Sequence, residues 1–428
     1  MKTIYTSVLC LLAIFFISSC TDKYTEEINV NVPVYMPYGE LRSGVNKAAP
    51  RELVKPGKIY FKGSYLLVVE YFEGIHFIDV SNPARPQNKA FVEAPGCVDI
   101  AMKDDLLYVD SYVDLVILDV SDMNNIREAG RVNDLLPYTL PPAENDQLPY
   151  GKVDKEKGVV TGWKVGREKR ELETEPYPYY SVDVVYQMAE KDMISSPGVV
   201  TGGGSTGKSG SMARFGIYDK YLYLVNDNCQ LYTLNISNPT QPVQEGVQFY
   251  GALFETMFIH DKHIFFGTPN GMVVYSLKTP SAPQLIGQYS HITSCDPVVV
   301  QDSIAYVTLR GGTVCNGGVN RLDVVKMTKD YSAYELVASY GMGNPYGLGI
   351  DGNVLFVCDG KDGLRIFDAK DYTAITDNPL AHFPEIRTYD VIPVNGYLFM
   401  IGDDGFYLYD YSDIKNIRLI GQIPVAKH

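Results

Sequence analysis

Seven stretches of the 428-residue chain repeat one pattern: a short apolar run, a polar or glycine turn, a second apolar run, then a turn rich in Ser, Asn and Pro. Six are clear: YLLVVEYFEGIHFIDVSNPARP from Tyr65, LLYVDSYVDLVILDVSDMNNI from Leu106, YLYLVNDNCQLYTLNISNPTQP from Tyr221, HIFFGTPNGMVVYSLKTPSAP from His263, VLFVCDGKDGLRIFDAKDYTA from Val354 and YLFMIGDDGFYLYDYSDIKNI from Tyr397. A degenerate copy, IAYVTLRGGTVCNGGVNRLDVVKM, starts at Ile304. Runs of this length with such turns read as hairpins. The residue closing the second run falls at Asp79, Asp119, Asn235, Ser276, Lys326, Asp368 and Asp410, at intervals of 40, 116, 41, 50, 42 and 42. That period fits four-stranded propeller blades, interrupted once by an insertion. YGLGID before Val354 supplies a blade's inner strand and LAHFPE its outer one. Radial blades bury both sheet faces against neighbours and leave short edges, so the expected fold is all-β, a seven-bladed β-propeller with one long insertion between blades two and three.

LVILD at Leu115–Asp119 followed by VS, with the variants HFIDVSNP, LYTLNISNP and LRIFDAK, resembles the LVIVD-repeat family of bacterial β-propellers. The resemblance implies a seven-bladed ring, often in exported proteins, and specifies a blade rather than a chemistry. Blade five departs most, with Lys326 where the others carry Asp, Asn or Ser. The ring is expected over 57–428, with the insertion at 133–212. VPVYMPYGELR at 32–42 is expected either to close the last blade or to serve as tether.

The N-terminus, MKTIYTSVLCLLAIFFISSC, has one basic residue, Lys2, an apolar run from Val8 to Ile17, and small residues before a cysteine. The run is too short for a permanent transmembrane helix and reads as a signal peptide over 1–19. I-S-S-C resembles the bacterial lipobox, which implies cleavage before Cys20 and lipidation there; the acyl chains then hold the protein at a membrane. The next segment, TDKYTEEINVNVPV, is polar and acidic and reads as a tether, over 20–56. It is similar to leaders that send Bacteroidota lipoproteins to the cell surface. The expected location is thus the outer membrane, facing outward.

Formal net charge is −14, and loss of Lys2 with the signal makes it −15. With no basic run, nucleic acid is not an expected partner. The counts of 33 Tyr, 38 Gly and 25 Pro against a single Trp suit short strands and turns.

The insertion holds GGGSTGKS, Gly202–Ser209, which matches the phosphate-loop pattern G-x-x-x-x-G-K-[ST]. A true phosphate loop sits between a buried strand and a helix, because helix N-terminal amides hold the phosphates. Here ISSPGVV precedes and GSMARFGIYDKYLYLV follows with β alternation, so the match reads as a flexible glycine loop. VVTGWKVGREKRELE, Val159–Glu173, reads as a hairpin or extended outer strand, and EPYPYYSVDVVY adds tyrosines. The insertion is expected to cap one rim of the ring.

Turns between second and third strands share a face with the crossovers between blades. Glu70, Tyr71, Tyr112, Asn226, Asp227, Tyr250, His291, Arg310, Tyr346, Asp359, Lys361, Arg387 and Tyr389 lie in those segments and are the candidate ligand-binding residues. Aromatic rings with convergent amides and a few charges suit a sugar, a peptide or a corrinoid; each residue is also an ordinary turn former. No catalytic residue and no metal ligand is expected: G-x-S-x-G is absent, and the six His show neither H-x-H nor H-E-x-x-H. No cofactor is expected either, although the Asp-rich turns at 226–228, 359–363 and 403–404 carry the donors calcium would use. Five cysteines besides Cys20 follow the signal. Cys295 and Cys315 share a blade and a face, which leaves a disulfide and two buried thiols both open.

Compartment and fold together suggest a subunit of a SusC/SusD-type TonB-dependent importer capturing peptides or glycans. A structural or adhesive scaffold is the alternative, and a propeller hydrolase or lyase comes third.

Overall fold

The computed structural model describes residues 24–43, 45–172, 208, 209, 211, 213–226, 229–251, 253–291, 297–311 and 318–426. The expected lipidation residue Cys20, the tyrosine-rich stretch 175–186, Gly202–Gly207, Asp227, Cys295 and Cys315 lie outside them. Seven antiparallel sheets follow one another, each built on four strands in chain order from the inner to the outer edge; blade one's sheet gains two more, Lys208–Ser209 beside its inner strand and Asn46–Ala48 beside its outer one. The inner strands are Pro56–Lys62, Ile100–Lys103, Phe215–Tyr218, Thr256–His260, Val298–Gln301, Leu348–Asp351 and Thr388–Val394. Every blade therefore contains the expected four-stranded unit, and the ring has seven.

Why the second and third strands dominate the repeat follows from burial. In blade one Leu66, Val68, Val69, Ile75 and Ile78 are fully buried, because neighbouring blades cover both faces of that hairpin. Outer strands face water on one side and alternate instead, so Val243 and Leu285 are exposed. A register shift occurs between third and fourth strands in all seven blades, at Phe77/Ile78, Glu128/Gly130, Thr233/Leu234, Val274/Tyr275, Val324/Val325, Ile366/Phe367 and Leu408/Tyr409. Such bulges add the twist that lets sheets pack radially.

The residue closing the third strand builds the next turn. Asp79, Asp119, Asn235, Asp368 and Asp410 each accept from the backbone N–H two residues on, at 2.8–3.0 Å. Blade five lacks this because the Lys326 side chain offers no acceptor; its ladder runs one pair further, to Met327 opposite Tyr334, and Thr328 and Asp330 bond each other at 2.6 Å and make its turn. Glycine opens the third strand for a steric reason. At Gly74 (φ +154°) and Gly405 (φ +151°) a Cβ would meet Val92 O and Ile423 O on the outer strand.

The seam between blades seven and one is closed by packing and one short bridge. Phe61 stacks on Phe399 at 4.8 Å, and Leu53, Ile59 and Val68 share a core with Ile392, Ile401 and Phe406. Leu53 bridges Val425, and Ala426 N–H donates to Leu53 O at 2.8 Å. The stretch at 32–42 goes elsewhere: Tyr24–Met36 pairs antiparallel with Val159–Leu172. This corrects two expectations. The N-terminal stretch is neither a closing strand nor a loose tether, and Val159–Glu173 is neither a hairpin nor a blade's outer strand. The pair forms a separate ribbon whose base joins Leu41, Tyr112, Val113 and Val159 in one small core, with Phe72 and Tyr138 against it.

Candidate binding face

The turns between second and third strands do share a face with the crossovers. Phe72 N–H donates to Cys97 O at 2.9 Å, and His291 N–H to Asn270 O at 3.1 Å. The ribbon base sits here, over blades one and two. Arg42, beyond the short helix Tyr38–Leu41, clasps buried Asp114 through two bonds of 2.9 and 2.8 Å and reaches Asp134 at 2.8 Å. Arg131 adds a second cation at 3.1 Å from Asp114. Burial pushes the Asp114 carboxyl up, but the Arg42 bonds, the Asp134 amide and Arg131 outweigh it and hold it below its usual value.

At the centre of the ring the insertion's return leg runs along the channel wall. Lys208 and Ser209 pair with Phe61 and Tyr60 of blade one's inner strand. Ser211 Oγ accepts from Leu348 N–H of blade six at 2.9 Å, and Ala213 O accepts from Met257 N–H of blade four at 2.7 Å. Arg214 N–H donates to Asp99 of blade two. Ser209 and Ser211 are buried. The leg thus ties together four blades that are not its own. Phe215–Tyr218, the strand that follows, is β, so the described residues place no helix after GGGSTGKS, and Lys208 and Ser209 spend their backbone in a ladder rather than around a phosphate.

Charges ring this leg. Lys58 and Asp99 form a buried ion pair at 2.7 Å, with side chains 5% and 4% exposed. Burial pulls the Lys58 ammonium down, Asp99 pulls it back up, and the net shift is downward. Asp110, half-buried on the channel side, accepts from Val98 and Asp99 N–H at 2.7 and 2.9 Å. Confinement by surrounding protein pushes its carboxyl up to about 7, against those amides and with help from the Asp99 charge. Asp390 is fully buried beside Ser211, and burial raises it well above the carboxylate range. None of Lys58, Asp99, Asp110, Ser211, Arg214 and Asp390 was expected from sequence; Lys58, Asp99, Arg214 and Asp390 are single polar residues in or just before an inner strand, Asp110 lies in a second strand and Ser211 in the return leg, a convergence visible only once the blades are aligned.

Of the candidate ligand residues, three come together at the mouth. The Arg310 guanidinium lies 4.3 Å over the Tyr346 ring, and Tyr389 meets Tyr346 edge-on at 5.4 Å. Tyr346 and Tyr389 are part-exposed, while Arg310 is buried. Tyr71 packs its ring over Gly57, and its hydroxyl lies in the field of Asp99, Asp110, Asp390 and Arg214, where burial raises it. The other candidates are mostly taken by the fold. Glu70 is buried, bonded to His76 at 2.9 Å, to Val54 N–H at 3.1 Å and to Lys55 N–H, so it braces the chain leading into blade one. Tyr112 lies under the ribbon. Asn226 bonds Gln230, Tyr250 stacks on Phe254 at 5.3 Å, and His291 sits 5.9 Å from Tyr289. Asp359 is buried and accepts from Gly343 and Asn344 N–H at 3.1 and 2.8 Å. Arg387 pairs with Asp403 at 2.8 Å, and Lys361 is exposed. Among the described residues no cluster of three His, Cys, Asp or Glu is placed to hold a metal ion. Cys97 and Cys358 are buried thiols whose pKa burial raises.

The model of the LVIVD repeat matches residues 57–93, 97–134 and 209–247, which are blades one, two and three. Among solved structures, a protein from Lactobacillus plantarum is similar at a TM-score of 0.54 and 10% identity, over 86% of this chain and 97% of that one. The computationally designed Ika8 protein is similar at 0.49 and 8%, over 87% and 89%. A putative 6-phosphogluconolactonase from Bacteroides fragilis is similar at 0.46 and 10%, over 73% and 79%. No curated protein matches the chain. Sequence repeats and architecture agree: the chain is a seven-bladed β-propeller carrying LVIVD repeats.

Proposed function

We propose that the protein is a lipid-anchored, outward-facing outer-membrane lipoprotein serving as the ligand-binding or accessory subunit of a SusC/SusD-type nutrient importer, with peptides or glycans as cargo. The observation behind this reading is the channel mouth. Arg310, Tyr346 and Tyr389 converge there from blades five, six and seven, near the chain's own return leg, whose Ser211 bonds Leu348 two residues past Tyr346. Aromatic rings beside a cation suit the faces of sugars and the side chains of peptides, which supports a recognition site at this mouth.

Affinity isolation of the native protein from detergent-solubilised outer membranes tests the partner; the importer pair is expected to co-purify. Binding of the pure protein to peptide and glycan arrays tests the site, and Tyr346→Ala is expected to weaken any hit at least tenfold. Isolation of the protein alone, or array binding indifferent to Tyr346→Ala, contradicts the reading.

A further inference from the structure

The acidic segment after Cys20, expected from sequence to be a loose tether, is strand from Tyr24 onward, so only Thr21, Asp22 and Lys23 separate Cys20 from a ladder that runs to Met36. Twelve steps at about 3.3 Å put the far end of this ribbon roughly 40 Å from its base. The base is fixed: Met36, Tyr38, Tyr112 and Val159 pack together, Tyr38 Oη donates to Lys155 O at 3.1 Å, and Arg42 clasps Asp114. Its middle is braced by the insertion, not by a blade. Asn31 Nδ2 donates to Asn145 O and Leu148 O at 2.9 Å, Asn31 N–H to Pro149 O at 2.9 Å, and Trp163 Nε1 to Pro141 O at 2.6 Å. Tyr150 packs on Trp163 at 4.4 Å.

We infer that the ribbon is a stiff stalk rising from the face that carries the channel mouth, so that this face, not the opposite one, is turned toward the membrane bearing the anchor. The inference rests on lipidation at Cys20, as proposed above, and adds to it which face of the ring looks toward the membrane. A two-stranded ladder with its middle tied down resists bending far better than thirteen residues of acidic coil, which would let the ring tumble freely.

The test uses the full lipidated chain, purified from membranes and reconstituted into phospholipid vesicles with an energy acceptor on the headgroups. A donor fluorophore is introduced through a reassigned stop codon at Asn270 or, separately, at Thr279. Both positions are exposed and belong to blade four, on the mouth face and the opposite face respectively, separated by the strand Gly271–Ser276 of about 20 Å. Energy transfer is expected to be at least about twofold greater from position 270. Equal transfer, or the reverse order, overturns the orientation while leaving the anchor intact. Cys20→Ser is expected to stop the protein floating with vesicles; if that variant still floats, the anchor fails and the orientation with it.

Discussion

Replacing Lys58 by Met deletes the cation of the channel's buried ion pair while keeping most of the side chain's bulk. The Nζ–Oδ2 separation of 2.7 Å and exposures of 5% and 4% leave little water between the partners. At an effective dielectric of ~20 the attraction amounts to about 6 kcal/mol gross, from which the cost of drying the ammonium must be subtracted. Removing one partner of such a pair typically costs about 3–5 kcal/mol, because the other charge stays buried alone. Asp99 keeps the Ile100 and Arg214 amides, so the lower end, about 3 kcal/mol, is expected here. With unfolding entropy of ~2 cal/mol/K per residue, a ring of this size loses about 4 °C in Tm. Asp99→Asn alone strands the lysine and is expected to cost as much. The double variant Lys58→Met/Asp99→Asn is neutral at both positions and is expected to fall at least about 2 kcal/mol short of the summed single losses. Thermal unfolding followed by circular dichroism gives all three numbers. Additive losses, or a Lys58→Met protein as stable as the parent, refute a dry, coupled pair.

Two further expectations follow from the same geometry. Asp110 has its carboxyl raised from 3.8 to about 7 in the folded protein, so between those values the folded state holds a proton that the unfolded chain has released. Its contribution to stability is therefore full below about pH 4 and is lost as pH rises through 7, and Asp110→Asn is expected to flatten Tm against pH across that window; an unchanged slope removes Asp110 as the cause. Arg42→Ala leaves Asp114 with Arg131 and the Asp134 amide only. Amide exchange at residues 38–42 and 159–160 is expected to accelerate at least about tenfold while blades four to six stay protected, and uniform acceleration would mean that the ribbon base is not a separate unit.

The blades were legible because their signal is doubly redundant. A second and third strand buried on both faces must be apolar along their whole length, and the Asx turn after Asp79, Asp119, Asn235, Asp368 and Asp410 places a short polar residue at the same offset each time. Lys326 holds the position equivalent to Asp79 but has no acceptor to offer; the ladder there runs one pair further, to Met327, and Thr328 and Asp330 take over the turn. The ribbon was not legible, because its strands lie more than a hundred residues apart in the sequence and no short turn joins them, so neither stretch shows the hairpin signal that marks a blade. The channel cluster was hidden for a third reason. Lys58, Asp99, Arg214 and Asp390 come one per blade, and a lone charge at the start of a strand looks the same whether it faces solvent or the axis of a ring. Radial symmetry is what concentrates them. The same convergence brings Arg310, Tyr346 and Tyr389 from three blades to one mouth, so in this fold a site is read by stacking equivalent positions across repeats, and a motif such as GGGSTGKS read along the chain points away from it.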